Sequence, residues 1–242
     1  MASHIVTAFE NELRDINRKV AEMGGLAEKS VVDSIDALIK RDTILAQRVI
    51  AADTRLDQLQ REIEDDAITL IAKRQPLAVD LREVVSAIRI CNDLERVGDL
   101  SKNTAKRVLA LKGEYQAPAL LRGVEHMSEI VLEQLTEVLD AFGARDANRA
   151  MEVWKRDGAV DDLYTSLFRE LLTYMMEDPR QITMCTHLLF AAKNVERIGD
   201  HATNIAETVH YLVVGEQLAD ERPKSDASSM TAVTYPNANP KS

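Results

Sequence analysis

Apolar residues in the first forty positions recur at spacings of three and four: Phe9, Leu13, Ile16, Val20, Met23, Ala27, Val31 and Leu38. This is the seam of a left-handed helical bundle, and it predicts a first helix over about residues 7–40. Gly24 and Gly25 interrupt it. Two adjacent glycines weaken a helix by about 1 kcal/mol each relative to Ala, so a bend or a close helix contact is expected there. Asp42 is the expected N-cap of a second helix, whose stripe is Leu45, Val49, Leu56, Leu59, Ile63 and Leu70 and which Pro76 ends. A third helix over about residues 78–112 carries Leu81, Val84 and Ile88, with Glu95 in register and Gly113 as its C-cap.

The pattern then starts again. Pro118 opens a fourth helix ending near Phe142 and Gly143. Asp146 caps a fifth, with Val153, Val160, Leu163, Leu167, Leu171 and Tyr174 on its stripe. Pro179 begins a sixth that ends near Val214 and Gly215. From about residue 216 to Ser242 the chain is rich in Ser, Pro, Asn and Asp, and a disordered tail is expected. The fold class is therefore all-α: two tandem three-helix bundles, over residues 1–115 and 116–215, followed by the tail over 216–242.

A repeated motif supports the duplication. Asp93-Leu-Glu-Arg-Val-Gly-Asp99 and Asn194-Val-Glu-Arg-Ile-Gly-Asp200 share one pattern, and Asn103 and Asn204 follow each final Asp by four residues. Upstream, Asp53 and Asp57 match Asp157 and Asp161. Residues four apart lie on one helix face, about 6 Å apart along the axis. Glu95, Asp99 and Asn103 thus form one oxygen-bearing stripe, and Glu196, Asp200 and Asn204 another. Seven residues separate Glu95 from Ile88 and Glu196 from Leu189, which places both carboxylates on the inward seam. Clustered carboxylates repel, and burial without partners costs more. A hard cation removes the difficulty, and oxygen ligands suit Mg, Mn, Ca or Fe better than a closed Zn site. The bland alternative is ion pairing with Arg55, Arg96 and Arg197. Gly98 and Gly199 stand mid-helix, either for close packing or to leave room for an ion.

Charge and composition narrow the function classes. With 40 acidic and 30 basic residues the net charge is -10, which disfavours nucleic-acid binding. The two cysteines, Cys91 and Cys185, lie inside helical patterns, so a reducing cytosol is compatible and no disulfide framework is expected. No signal peptide and no membrane-spanning run is read, so any membrane association goes through a partner. His201 and Trp154 are expected to be structural. No G-x-x-x-x-G-K loop and no Ser-His-Asp arrangement is found, so no catalytic residues are assigned. A rival reading is a di-metal carboxylate oxidase or hydrolase, but its usual Glu-x-x-His is missing after Glu95 and Glu196. A third is a metal-free scaffold.

Gln75-Pro-Leu-Ala-Val-Asp-Leu-Arg82, the two acidic motifs and the closing Asn204-Ile-Ala-Glu207 together resemble the PhoU family of phosphate-transport regulators. His4 and the Met23-Gly24 pair match that family's amino-terminal pattern, and the resemblance spans roughly residues 4–215. Ser101 and Thr104 depart from the Ala202 and Ile205 of the second copy, and Asp178-Pro-Arg-Gln-Ile replaces the Pro-x-Ala-x-Asp-Leu-Arg entry. The resemblance implies twin three-helix bundles with acidic metal clusters, carried by Glu95, Asp99, Asn103, Glu196, Asp200 and Asn204, and with them Asp53, Asp57, Asp157 and Asp161. It implies bound divalent or trivalent metal ions (Mg, Mn, Fe or Zn) and a homodimer. It further implies a negative regulator of the phosphate-starvation response, cytoplasmic and peripheral to the inner membrane. Its expected partners are the ATPase subunit of the phosphate ABC transporter and a phosphate-sensing histidine kinase.

Overall fold

The computed structural model describes residues 2–111 and 118–218. The helices are α1 (Ala2–Lys40), α2 (Thr43–Arg74), α3 (Val79–Ala110), α4 (Pro118–Ala144), α5 (Ala147–Lys155), α6 (Asp157–Glu177) and α7 (Ile182–Val214), with a 3-10 turn at Pro179–Gln181 before α7. Helices α1–α3 form one bundle. Helices α4–α7 form the other, with α5 and α6 acting as one interrupted helix. Gly113 and the tail from residue 219 lie outside the described residues.

The hydrophobic seam decides the packing. Ile16, Val20, Met23, Ala27, Val31 and Leu38 of α1 are buried, as are Val49, Leu56, Leu59, Ile63 and Leu70 of α2. Short connections force antiparallel neighbours, and both first connections close in the same way. Arg41 and Arg145 take left-handed φ values of 55° and 53°. Asp42 and Asp146 follow, each accepting from two backbone N–H groups of the next helix. A side-chain cap of this kind contributes about 1 kcal/mol. The repeat therefore extends to an Arg-Asp corner that the motif comparison had not included.

Three expectations need correction. Helix α1 runs unbroken through Gly24 and Gly25 and starts at Ala2. Of the two options at the glycines, close contact holds: a Cβ on Gly24 would lie 3.0 Å from Leu139 of α4. The fifth helix is interrupted at Arg156, where the backbone N–H donates to Val153 O at 3.0 Å and the carbonyl accepts both from Ala159 N at 3.2 Å and from Gln134 Nε2 at 3.3 Å. In α3 the buried seam runs through Val84, Ala87, Cys91, Leu94, Gly98 and Ser101, while Leu81 is exposed and Ile88 half-buried. Glu95, placed in register with those two, is consequently half-buried at the seam's margin.

Helices α3 and α7 pack against each other across the two bundles, and the buried apolar residues form one continuous core. Polar bridges fix this contact. Asp93 Oδ1 on α3 lies 2.8 Å from His201 Nδ1 and accepts from Asn204 Nδ2 at 3.3 Å. Asn194 Nδ2 donates to Thr104 Oγ1 at 3.2 Å. His201 is thus a structural bridge, as expected. Cys91 and Cys185 are buried and free, and burial pushes the Cys91 thiol up to about 12. Trp154 is buried with its Nε1 donating to Glu207 at 3.0 Å.

Candidate metal centres and their internal cations

In the first bundle, Asp53 and Asp57 of α2 face Glu95 and Asp99 of α3. Asp53 is buried, and the other three are half-buried. Their mutual proximity is felt electrostatically: Asp57 and Asp99 each push the Asp53 carboxyl up, adding to desolvation, which is the main cause. Glu95 is raised by desolvation and then by Asp99. Lys102, one turn beyond Asp99, offsets this crowding. Its Nζ donates to Asp53 and, at 2.7 Å, to Asp99 Oδ1. The ammonium thus bridges α2 and α3 where the carboxylates crowd. Arg96 reaches Glu95 at 3.4 Å and Asp99 at 3.5 Å from the solvent side. Arg55 instead pairs with Glu22 and Glu62, and Asn103 is exposed.

The second bundle is built differently. Asp157, Asp161 and Glu196 are all buried, and Asp200 is half-buried. Thr203 stands where Lys102 stands in the first copy, and its hydroxyl donates to Asp157 Oδ1 at 2.9 Å. The lysine of this cluster enters from the other side of the motif: Lys193 Nζ donates to Glu196 Oε1 at 2.8 Å and lies 4.8 Å from the Tyr164 ring centre. Glu196 Oε2 is buried with no hydrogen-bond partner among the described residues. Desolvation, followed by Asp200 and Asp161, raises its carboxyl above the ordinary range against the pull of Lys193. Asn204 turns away from this group to Asp93.

Among the described residues, no three His, Cys, Asp or Glu side chains converge tightly enough to hold a metal ion. The two clusters nevertheless differ in their suitability for one. Each already holds an ammonium: Lys102 bridges two carboxylates of the first, whereas Lys193 meets only one oxygen of Glu196 in the second. The second contains an orphaned, buried carboxylate oxygen, which costs about 1–3 kcal/mol or more when charged. An incoming divalent ion would satisfy it. Sequence reasoning missed both lysines because it followed the i,i+4 oxygens and the arginines. The i,i+3 offsets of Lys102 from Asp99 and of Lys193 from Glu196 were the available signal.

The glycines separate in the same way. A Cβ on Gly98 would lie 2.5 Å from Leu56 Cδ1, whereas on Gly199 it would meet nothing closer than Val131 at 3.4 Å. Gly98 therefore serves close packing. Gly199→Ala is expected to stabilise by up to about 1 kcal/mol through helix propensity. Gly98→Ala should instead destabilise by about 1 kcal/mol as the packed Leu56 is displaced. Urea denaturation of the two variants reads the difference, and equal shifts would remove the packing argument.

Known proteins share this architecture. The family model described as the PhoU domain matches residues 20–108 and 124–209, one copy in each bundle. A phosphate-specific transport system accessory protein PhoU homolog from Rhizobium meliloti (strain 1021) is 58% identical over 227 residues, covering 94% of this chain and 96% of that protein. The homolog from Caulobacter vibrioides is 53% identical over 229 residues, covering 95% and 100%. The crystal structure of PhoU from Pseudomonas aeruginosa superposes with a TM-score of 0.83 at 43% identity, covering 86% of this chain and 100% of that one. With a PhoU domain matched in each half and close relatives matched along nearly their whole length, the chain belongs to the PhoU family.

Proposed function

We propose that this chain is a regulatory accessory protein of phosphate uptake and a negative regulator of the phosphate-starvation response. In this reading it connects the ATPase of a phosphate ABC transporter to a sensor histidine kinase. The observation that carries the reading is the match along nearly the full length of relatives named as accessory proteins of the phosphate-specific transport system. The role is regulatory rather than catalytic. No helix among the described residues is long and apolar enough to cross a membrane, so contact with a transporter would be made through protein surfaces. The expected homodimer belongs to the same proposal.

A divalent cation has its best place in the second bundle, held by Asp157, Asp161, Glu196 and Asp200. The orphaned Glu196 Oε2 supports this. A bound ion would supply positive charge for oxygens of a partner or of phosphate. The chain's own residues hold the carboxylates together, with Thr203 orienting Asp157 and Lys193 limiting repulsion until the ion arrives.

The test combines Asp157→Asn, Asp161→Asn, Glu196→Gln and Asp200→Asn in one chromosomal variant. These changes remove charge and keep shape. Loss of Mn²⁺ retention, with expression of phosphate-starvation genes in abundant phosphate, is the expected result. A folded variant that still represses would refute the role of the cation. Deletion of the whole gene without derepression would refute the regulatory reading itself.

A further inference from the structure

Helices α3 and α7 pack antiparallel: Asp93 meets Asn204, Thr104 meets Asn194, and Arg107 lies over Phe190. Polar bridges satisfy the middle of this seam, and both ends carry arginines against aromatic rings. At one end, Arg82 and Arg89 lie 5.9 and 5.3 Å from the Tyr211 ring centre. Negative charge is already present there: Glu207 lines the same cavity as Arg89, and α7 ends at Val214 with the negative pole of its dipole. The other end lacks such compensation.

The Arg107 guanidinium carbon lies 4.3 Å from the Phe190 ring centre. Arg107 is half-buried, and its Nε is buried with no hydrogen-bond partner among the described residues. Burial alone pulls the guanidinium below its usual range, and no carboxylate acts against that pull. His187 Nδ1 is also buried without a partner among the described residues. Desolvation, and then Arg107, hold its ring below the usual imidazole range. Residues 103–110 of α3 and 186–194 of α7 include no Asp or Glu; their charged residues are Lys106, Arg107 and Lys193. Lys193 is engaged by Glu196. The C-terminal end of α3 favours a cation, but the N-terminal turns of α7 beside it carry the opposite pole. Positive charge is thus uncompensated at this end, in a chain whose net charge is -10.

The stack faces outward. Phe190 is 48% exposed, although its neighbour Leu188 is fully buried. An aromatic ring beside an arginine is the composition that carries most of the energy in protein interfaces. A guanidinium held on a ring keeps a donor edge for a carboxylate, which it meets through two parallel hydrogen bonds. The charge sets the occupant: an acidic segment is attracted here and a basic one is repelled.

We propose that the Arg107–Phe190 stack is a docking surface for an acidic segment of a partner protein. A carboxylate of the segment meets the Arg107 guanidinium, and an adjacent apolar side chain lies on the Phe190 ring. The surface is built from one helix of each bundle, so docking there clamps the seam between them. That the occupant is a protein partner rests on the regulatory reading above; the affinity for acidic peptide does not, and is measured separately from gene expression.

The probe is the blocked peptide acetyl-Gly-Leu-Glu-Phe-Glu-Leu-Gly-amide, with its Gln and Lys counterparts, titrated into the full chain and followed by amide chemical shifts and calorimetry. Saturable binding of the acidic peptide is expected, with shifts at Arg107, His187 and Phe190. The Gln counterpart should bind about tenfold more weakly, the value of one charge-assisted contact. Arg107→Met, which keeps the aliphatic contact with the ring, should produce a similar loss. Arg107→Glu should reject the acidic peptide and accept the Lys one. Melting curves verify folding, and the peptide comparison on the unaltered chain stands even if a variant fails to fold. No binding of the acidic peptide would overturn the proposal, as would equal binding of the Gln counterpart or indifference to Arg107→Met. Tighter binding of inorganic phosphate at the same residues would replace the peptide by a free oxyanion. A tenfold gain in peptide affinity on Glu114→Gln, or on Asp220→Asn with Glu221→Gln, would make the chain itself the occupant. Dissociation of a dimer by Arg107→Met, read by sedimentation, would make it a second copy.

Discussion

Replacing Lys102 with Met is expected to lower the stability of the metal-free protein by about 2–3 kcal/mol, below the 3–5 kcal/mol of a fully buried broken pair. The discount reflects exposure: the Asp53 side chain is 7% exposed, but that of Lys102 is 21%. For a chain of this size the loss corresponds to a fall of roughly 4–12 °C in melting temperature. The cause is the Asp53 carboxylate, which keeps its burial and loses its bridge while Asp57, Glu95 and Asp99 remain nearby. Added Mn²⁺ should then raise the melting temperature of Lys102→Met more than that of the unaltered chain, because an external cation takes the position the ammonium leaves. Calorimetric scans with and without Mn²⁺ measure both effects. Equal Mn²⁺ responses, or a metal-free variant as stable as the parent, would show that Lys102 is not the internal cation of this cluster.

The second large effect is expected at the Arg145 corner. Glu83 of α3 is buried and depends on Arg145, which lies between α4 and α5, and on Asn17 of α1. Arg145→Met leaves the carboxylate with one neutral donor, at an expected cost of about 1–2 kcal/mol, because the Arg145 side chain is 49% exposed and its charge is screened. Glu83→Gln removes the stranded charge, so the double variant should recover much of the loss. The coupling between the two is expected at about 1–2 kcal/mol. A urea double-mutant cycle gives it directly. Additive losses would mean that the pair is solvent-screened, as exposed pairs are.

Much of the helical architecture was legible because period and burial coincide. Val20, Met23, Ala27 and Val31 sit where their spacing puts them, and Asp42 and Asp146 cap where they should. Errors arose where the answer depended on a distant group. The fifth helix breaks at Arg156, where the backbone bonds tighten to a three-residue step and Gln134, on another helix, shares the carbonyl with Ala159. Counting sevens from Ile88 placed Glu95 inward, and it lies half-buried at the margin; the starting residue does not explain this, because Ile88 and Leu189 are both half-buried. The same count from Leu189 succeeded for Glu196, which is 5% exposed.

The candidate centres show the same division. Both copies of the Glu-x-x-x-Asp stripe and the two Asp pairs were found from spacing alone. That Asn204 serves Asp93 and not its own stripe follows from how α7 lies against α3, which no local pattern encodes. Lys102 and Lys193 sit at positions the repeat does not share, so alignment of the two halves hid them: Lys102 faces Thr203 in that alignment, and Lys193 faces Asn92. Each half has its own solution to carboxylate crowding.

The packing of α3 on α7 makes the two repeats a covalently joined pair. Each third helix has greasy flanks on two sides, one for its own bundle and one for its sister. A lone repeat released from the chain would carry an uncovered strip along its third helix and would have to find a twin to hide it. Tethering both copies in a single polypeptide removes the concentration dependence that such a meeting would otherwise carry.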